Sequence, residues 1–267
     1  MRKVVIVKRA YVITGAASGI GAATSALLKE RGENVIGVDI HDADINADLS
    51  TTAGRTTAVK EVIQISGGRI DSIIACAGLV HSIAKTVSVN FFGVTQILTE
   101  LLPILKNSST SRVAITSSMS SLFPISPELV NAMLANDEVG ALAIAQDLVN
   151  QGPEKSGLIY GSTKRAISRW VRRECIKPDW AGAGIPLNAI GPGMVETPMI
   201  GRMIATAESR ATIDAMVPMP LNYYLKPRQV AYLLAWLTSE ENTHTTGQTI
   251  YIDGGADATI RGDNIWS

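Results

Sequence analysis

The chain has 267 residues, enough to bury a sizeable core, and an α/β chain of that length forms one or two domains. Its 24 basic and 24 acidic residues balance, so no basic excess points to nucleic acid and no acidic block to a solvated tail. Two cysteines, Cys76 and Cys175, and three scattered histidines form neither a metal-ligand spacing nor a disulfide framework, which implies no metal and fits a reduced, cytoplasmic setting.

Strand and helix patterns alternate almost from the start. An apolar run over 11–14 ends in glycine and reads as a buried strand; helical spacing over 20–31 stops at Gly32. A strand over 35–39, a helix over 51–66 halted by Gly67-Gly68, a strand over 72–76 and a long helix over 87–106 follow. Next come a strand over 112–117, a helix over 159–176, a strand over 186–190, a helix over 227–239 and a strand over 248–252. Such alternation predicts a Rossmann-type, doubly wound parallel sheet between two helical layers, α/β/α. With no repeat or linker, residues 1–267 read as one dinucleotide-binding catalytic domain.

Two stretches break the pattern. Residues 119–157 hold two helical patterns, 128–135 and 137–150, and no strand; residues 194–222 are rich in Met and Pro and have no clear period. Connections this long in a compact domain are usually functional. Charges interrupt every apolar stretch before it reaches membrane-spanning length; the longest candidate, 132–149, contains Asn136, Asp137, Glu138 and Asp147. The apolar run 4–7 is too short for a signal peptide.

Thr14-Gly15-Ala16-Ala17-Ser18-Gly19-Ile20-Gly21 joins the first strand to the first helix. Glycines there let the backbone turn sharply and let a pyrophosphate approach the helix N-terminus, which offers free N–H groups and a positive dipole. The spacing is Gly-x-x-x-Gly-x-Gly rather than the commoner Gly-x-Gly-x-x-Gly, and by itself it also suits an ordinary turn. Asp39 ends the second strand about 20 residues further on, where a carboxylate accepts from ribose hydroxyls and repels a 2′-phosphate. No Arg or Lys lies in 16–18 or directly after Asp39, which favours NAD over NADP as the cofactor. His41 reads as a solvated loop residue.

Tyr160 and Lys164 are spaced i, i+4 on one helix face. A nearby ammonium lowers a phenol's pKa, and a phenol so tuned takes a proton from an alcohol or gives one to a ketone. Ser117-Ser118 ends a predicted strand, at the sheet edge where ligands bind in open α/β folds. Asn90 is a polar residue set among Val89, Phe91 and Phe92.

In this order the residues carry a resemblance to the short-chain dehydrogenase/reductase family over residues 11–255. The matching pieces are Thr14 to Gly21, Asp48-Leu49, Cys76-Ala77-Gly78, Asn90, Ser118, Tyr160-x-x-x-Lys164, Pro192-Gly193 with Thr197, and Asp253-Gly254-Gly255. The resemblance implies Tyr160 as acid/base and Ser118, aligned in preference to Ser117, as the substrate-orienting hydroxyl. It implies that Lys164 holds the nicotinamide ribose and tunes Tyr160, and that Asn90 orders a relay water. Asp48 would contact adenine, and Val195 and Thr197 the nicotinamide amide. Gly15, Ser18, Gly19, Ile20, Gly21, Leu49, Ala77, Gly78, Pro192 and Gly193 would complete the cofactor wall. Cys76 stands where the family usually has Asn. Residues 40–50, 76–79 and 87–90 and the long insert before the tyrosine are similar to the bacterial 3α-hydroxysteroid dehydrogenase/carbonyl reductase subgroup.

The function so implied is interconversion of a secondary alcohol and a ketone with NAD. Met194, Met199, Met203, Met216 and Met219 suggest either loop packing or a bulky apolar substrate, steroid-like or aromatic. Rival readings are a non-catalytic NAD-sensing protein of the same fold and an epimerase or dehydratase relative; too little chain follows Asp253 for the larger C-terminal domain those enzymes carry. The insert's apolar residues (Leu129, Val130, Met133, Leu134, Val139, Leu142, Leu148, Val149) are spaced to bury one face, either over the substrate pocket or across the face where ordinary family members form tetramers. The resemblance therefore favours a homodimer through another surface, near 231–252, over a tetramer.

Overall fold

The computed structural model describes residues 8–201 and 204–265, apart from the side chain of Met216. The apolar run at 4–7, and Met203 among the five methionines, lie outside the described residues.

Among the described residues, seven strands pair in parallel in the order β3-β2-β1-β4-β5-β6-β7. They are β1 Ala10–Thr14, β2 Asn34–Asp39, β3 Ile45–Asn46, β4 Ser72–Ala75, β5 Arg112–Thr116, β6 Leu187–Pro192 and β7 Thr249–Ile252. Side chains alternate across the strands, so each strand feeds two apolar layers. Tyr11 and Ile13 of β1, Ile74 of β4 and Ala114 of β5 face a layer with Leu27, Leu28, Val230 and Leu234. These four come from α1 (Gly19–Glu30) and α11 (Pro227–Leu237). Val12, Ile73, Val113 and Ile115 face the opposite layer, which includes Val62, Leu98, Leu101 and Val171. That layer is built from α2 (Thr52–Ser66), α4 (Gly93–Leu105) and α8 (Leu158–Glu174). The architecture is the doubly wound α/β/α sheet that the alternation predicts.

The structure differs from the sequence reading at five points. The two-residue strand β3 is too short to give a period, and it exists because Ile45 and Asn46 pair with Val38 and Asp39. The long helix runs from Lys85 to Leu105 and is interrupted. Its first turn, α3 (Lys85–Val87), passes through a π turn at Ser88–Phe92 into α4. That helix is also long and apolar enough by composition to cross a membrane, contrary to the expectation that charges break every such stretch. Two-thirds of its apolar window is buried inside the fold, where it packs as a core helix. In the stretch without a period, α9 (Pro198–Gly201) is followed by α10 (Ala207–Met216). The start of α10 is fixed by a reciprocal Thr206–Ser209 capping box, and its apolar positions are too few to announce it. After β7 comes α12 (Ala256–Arg261), which the sequence reading left out.

The insert forms α5 (Pro127–Leu134), α6 (Glu138–Asn150) and a single turn, α7 (Pro153–Ser156). Ser126 and Asp137 cap α5 and α6 by accepting from Leu129 N and Gly140 N. Helix α5 lies along α8, and α6 lies against α5 and the π turn. Leu129, Val130 and Met133 are fully buried there and Leu148 nearly so, while Leu134, Leu142 and Val149 pack at the margin. Val139, expected in the buried face, is instead 82% exposed on the first turn of α6. Arg55 of α2, 2% exposed, holds Glu138 at the start of α6 and Gln96 of α4. Helix α5 thus packs along α8; Met119, Ser120, Phe123 and Gly157, at the two ends of the insert, line the cleft described next, and helices α5, α6 and α7 do not.

Candidate active site

The register sets the C-terminal strand ends side by side. Thr14 pairs with Val38 on one side and Ala75 on the other, Ala75 with Ile115, and Thr116 with Ile190. From β1 the chain proceeds outward to β2, and β4 then lies on the other side of β1, so a crevice opens between the two connections. A cleft of about 730 Å³ occupies it.

At one end stands the glycine turn. Gly15 sits at φ +72° and its N–H donates to Val38 O at 2.8 Å. A Cβ on Gly15 would lie 2.7 Å from Ala77 N, and one on Gly21 would lie 2.0 Å from Gly15 O. Both positions therefore exclude a side chain. Ser18 precedes α1 in extended geometry but makes no side-chain cap bond, so the first N–H groups of α1 face the cleft without a protein partner from that residue. Thr197 reaches over the turn: a Cβ on Gly19 would lie 3.3 Å from its methyl carbon. Asp39 is held by backbone donors, Ala17 N at 2.9 Å and Ile40 N at 2.7 Å. Asp48 accepts from Ser50 N and Oγ and from Lys85 Nζ, and these bonds, the Ser50 hydroxyl first, hold its carboxyl below the usual range.

At the other end, α8 presents Tyr160 and Lys164 to the cleft, with the Lys164 ammonium 5.7 Å from the Tyr160 ring centroid. Lys164 is buried and donates to Thr116 O at 2.9 Å. Burial pushes it down to about 8, against a smaller upward pull from Cys76. Burial also pushes the Tyr160 phenol above its ordinary value, and a hydrogen bond with Ser118 draws it partly back. The sequence reading expected the ammonium to lower the phenol. In the protein alone desolvation outweighs any such effect, and the lowering partner is Ser118.

The two serines at the end of β5 face different ways. Ser117 borders the cleft, but its Oγ donates to Lys164 O at 2.9 Å and lies 3.0 Å from Ser168 Oγ. Ser118 also lines the cleft; its hydroxyl accepts from Ser120 N at 3.1 Å and is the group that draws the Tyr160 phenol down. Cys76 accepts from Thr116 Oγ1 at 3.3 Å, and burial pushes its thiol up to about 11, so it is a neutral wall group.

Gly15, Ser18, Gly19, Ile20, Gly21, Asp39, Asp48, Leu49, Cys76, Ala77, Gly78, Ser118, Tyr160, Lys164, Pro192, Gly193, Val195 and Thr197 all line the cleft. Asn90 stands behind it. Its amide accepts from Leu79 N at 2.7 Å and donates to Leu79 O at 2.9 Å and to Thr163 Oγ1 at 3.1 Å. All its observed bonds pin the loop after β4 and α8, which makes Asn90 a support for the wall rather than part of it. A Cβ on Gly78 would lie 3.3 Å from Asn90 Oδ1 and 3.6 Å from Lys164 Nζ, so these three groups converge. The sequence reading missed Val80, His81, Ile83, Phe123, Ile213 and Val217, which also line the cleft. They come from loops and from α10, whose approach depends on tertiary packing and leaves no local pattern. Met194 and Met199 line the cleft, whereas Met219 packs on Gly254.

The residues present fit a dinucleotide: a cradle that excludes side chains, a helix N-terminus without a capping side chain, and a carboxylate at the neighbouring strand end. Comparison with known proteins agrees. Residues 15–257 match the family described as enoyl-(acyl carrier protein) reductase. The chain is 36% identical over 256 residues to a 3α-hydroxysteroid dehydrogenase/carbonyl reductase of Comamonas testosteroni, covering 94% of this chain and 97% of that one. It is 27% identical to a 3-oxoacyl-[acyl-carrier-protein] reductase of Thermotoga maritima, covering 91% and 96%. Its fold superposes on the crystal structure of a 3α-hydroxysteroid dehydrogenase from Pseudomonas sp. B-0831 complexed with NADH. That match has a TM-score of 0.86 and 38% identity and covers 95% of this chain and 99% of that one.

Proposed function

The chain belongs to the short-chain dehydrogenase/reductase family, and from that premise we propose that it interconverts a secondary alcohol and a ketone with NAD, on a bulky apolar substrate. The observation that carries the reading is the meeting of Ser118, Tyr160 and Lys164 at one end of a cleft whose other end is the glycine cradle. A nicotinamide cofactor, when bound, supplies the redox chemistry. The α1 N-terminus and Gly15, Gly19 and Gly21 would hold its pyrophosphate, Asp39 its adenosine ribose, and Lys164 its other ribose.

Within that frame each side chain has a task. Ser118 donates to the reacting oxygen of the substrate and keeps it beside Tyr160. Tyr160 takes the alcohol proton in oxidation and returns it in reduction. A phenol held high by burial is a poor base unless positive charge gathers nearby; Lys164 is the cationic group built into the wall to provide it. Preference for NAD rests on Asp39, whose charge would face a 2′-phosphate. Lys85, a cation that reaches the adenine end, is already paired with Asp48 at 3.1 Å.

A large apolar substrate is supported by the cleft lining, which includes Ile83, Phe123, Met194, Met199, Ile213 and Val217. The names of the similar proteins point the same way. The test is NADH formation with a panel of alcohols, comparing a 3α-hydroxysteroid with short aliphatic alcohols and NAD with NADP. Steady turnover of the steroid with NAD is the expected result; a panel with no turnover would overturn the reading.

We also propose a homodimer, because α5 packs along α8 with α6 against α5, and the pair would obstruct a subunit approach there. Tyr232 and Trp236 of α11 remain exposed. A closed two-fold pair is the commonest soluble assembly. Light scattering that gives a tetramer would contradict it.

A further inference from the structure

Ser121 lies in the short 3₁₀ turn Met119–Leu122 that follows Ser118, and only 1% of it is exposed. All three of its polar groups are engaged. Its N–H donates to the Ser118 carbonyl at 3.1 Å. Its carbonyl accepts from Arg165 Nε, one residue after Lys164 on α8. Its Oγ lies 2.9 Å from the phenol oxygen of Tyr251, in β7. Tyr251 has little freedom: a Cβ on Gly191 of β6 would lie 2.4 Å from its ring, and the Arg261 guanidinium of α12 stands 5.4 Å from the ring centroid.

Ser118 is thus the first residue of a turn tied at one point to both sides. One tie runs to α8, the helix that carries Tyr160. The other runs across the sheet to a strand that contributes nothing to the cleft wall among the described residues. A hydroxyl that orients a reacting atom must be held within a fraction of an ångström, and a short turn does not do that without outer support. The tyrosine ring would pack on Gly191 with or without its hydroxyl; the hydroxyl has the turn as its partner. We propose that Tyr251 is a positioning residue that acts through Ser121 to hold the Ser118 hydroxyl in place beside Tyr160. This rests on the roles given above to Ser118 and Tyr160.

Tyr251→Phe keeps the ring and removes the bond; Ser121→Ala removes the same bond from the other side. Each should lower kcat for a 3α-hydroxysteroid about fivefold, the size of one neutral hydrogen bond, with the Kd for NADH unchanged. The two together should cost no more than either alone. In a Ser118→Ala background Tyr251→Phe should have no further effect on kcat, because the residue it positions is gone. The limb of the kcat/KM–pH profile that reports Tyr160 should move to higher pH in Tyr251→Phe, since the Ser118 hydroxyl that draws the phenol down is less firmly held. A residue that serves only the fold would cost the same in both backgrounds and leave the limb in place, and either result overturns the inference. Wild-type turnover checks the proposed function by itself, whereas the positioning role is judged on the ratios between variants.

Discussion

Replacing Ser117 and Ser118 one at a time by alanine separates two neighbouring hydroxyls that differ in task. Ser117 is 2% exposed, and its Oγ ties the end of β5 to the Lys164 carbonyl at 2.9 Å. Removing one such buried hydrogen bond costs about 1 kcal/mol, or roughly 2–4 °C in Tm at this chain length. Ser118→Ala removes the hydroxyl that accepts from Ser120 N at 3.1 Å, and losing a cap of that kind also costs about 1 kcal/mol. Thermal shifts therefore do not distinguish the two. Turnover does. Ser118 is the serine that draws the Tyr160 phenol down, and deleting a donor aimed at the reacting oxygen lowers kcat by about 10²–10³. Ser117→Ala leaves every group facing the substrate in place, so its kcat should drop only a few-fold. Initial rates at saturating NAD, read beside thermal melts, give both numbers. If Ser117→Ala is the slower enzyme, the substrate-orienting role moves to Ser117 and the geometry argued here is wrong.

Asp39→Ala should narrow the preference for NAD over NADP in kcat/KM by about 10-fold or more, because one charge facing a phosphate is worth over 1 kcal/mol even in a partly solvated site; an unchanged ratio would remove Asp39 from the ribose site. The ligand-free protein should also show a pH signature of Lys164. Its folded pKa, about 8, lies below the ordinary lysine value, so the unfolded chain binds more protons and stability rises with pH from about 8. Cys76, raised to about 11 from an ordinary thiol value near 9, acts in the opposite sense above pH 9. Denaturation of wild type and Lys164→Met should therefore diverge between about pH 8 and 9, with wild type gaining stability relative to the variant. Parallel curves would place the Lys164 pKa elsewhere.

Much of this was legible in the sequence because the site depends on strand ends. Thr14, Asp39, Cys76 and Ser118 each close or follow a strand, and parallel pairing alone brings such positions together. Tyr160 and Lys164 share a helix face by spacing. What stayed hidden depends on packing between distant segments. The π turn at Asn90 arises within a buried helix and changes no residue pattern. The capping box of α10 uses Ser where Glu or Gln would signal it. The 2.9 Å link from Tyr251 to Ser121 spans 130 residues, and neither residue belongs to a motif. The insert's apolar face was visible, but its partner, α8, was settled only by the fold.

The most direct measurement of the central claim is turnover by Tyr160→Phe, with NADH affinity read by fluorescence titration on the same preparation. The phenol hydroxyl is the only atom removed, and Lys164, Ser118 and the glycine cradle are untouched. The account predicts an unchanged Kd for NADH and a kcat lower by about 10²–10⁴, the contribution of a positioned general acid/base. A variant that binds NADH and turns over as fast as wild type would contradict it.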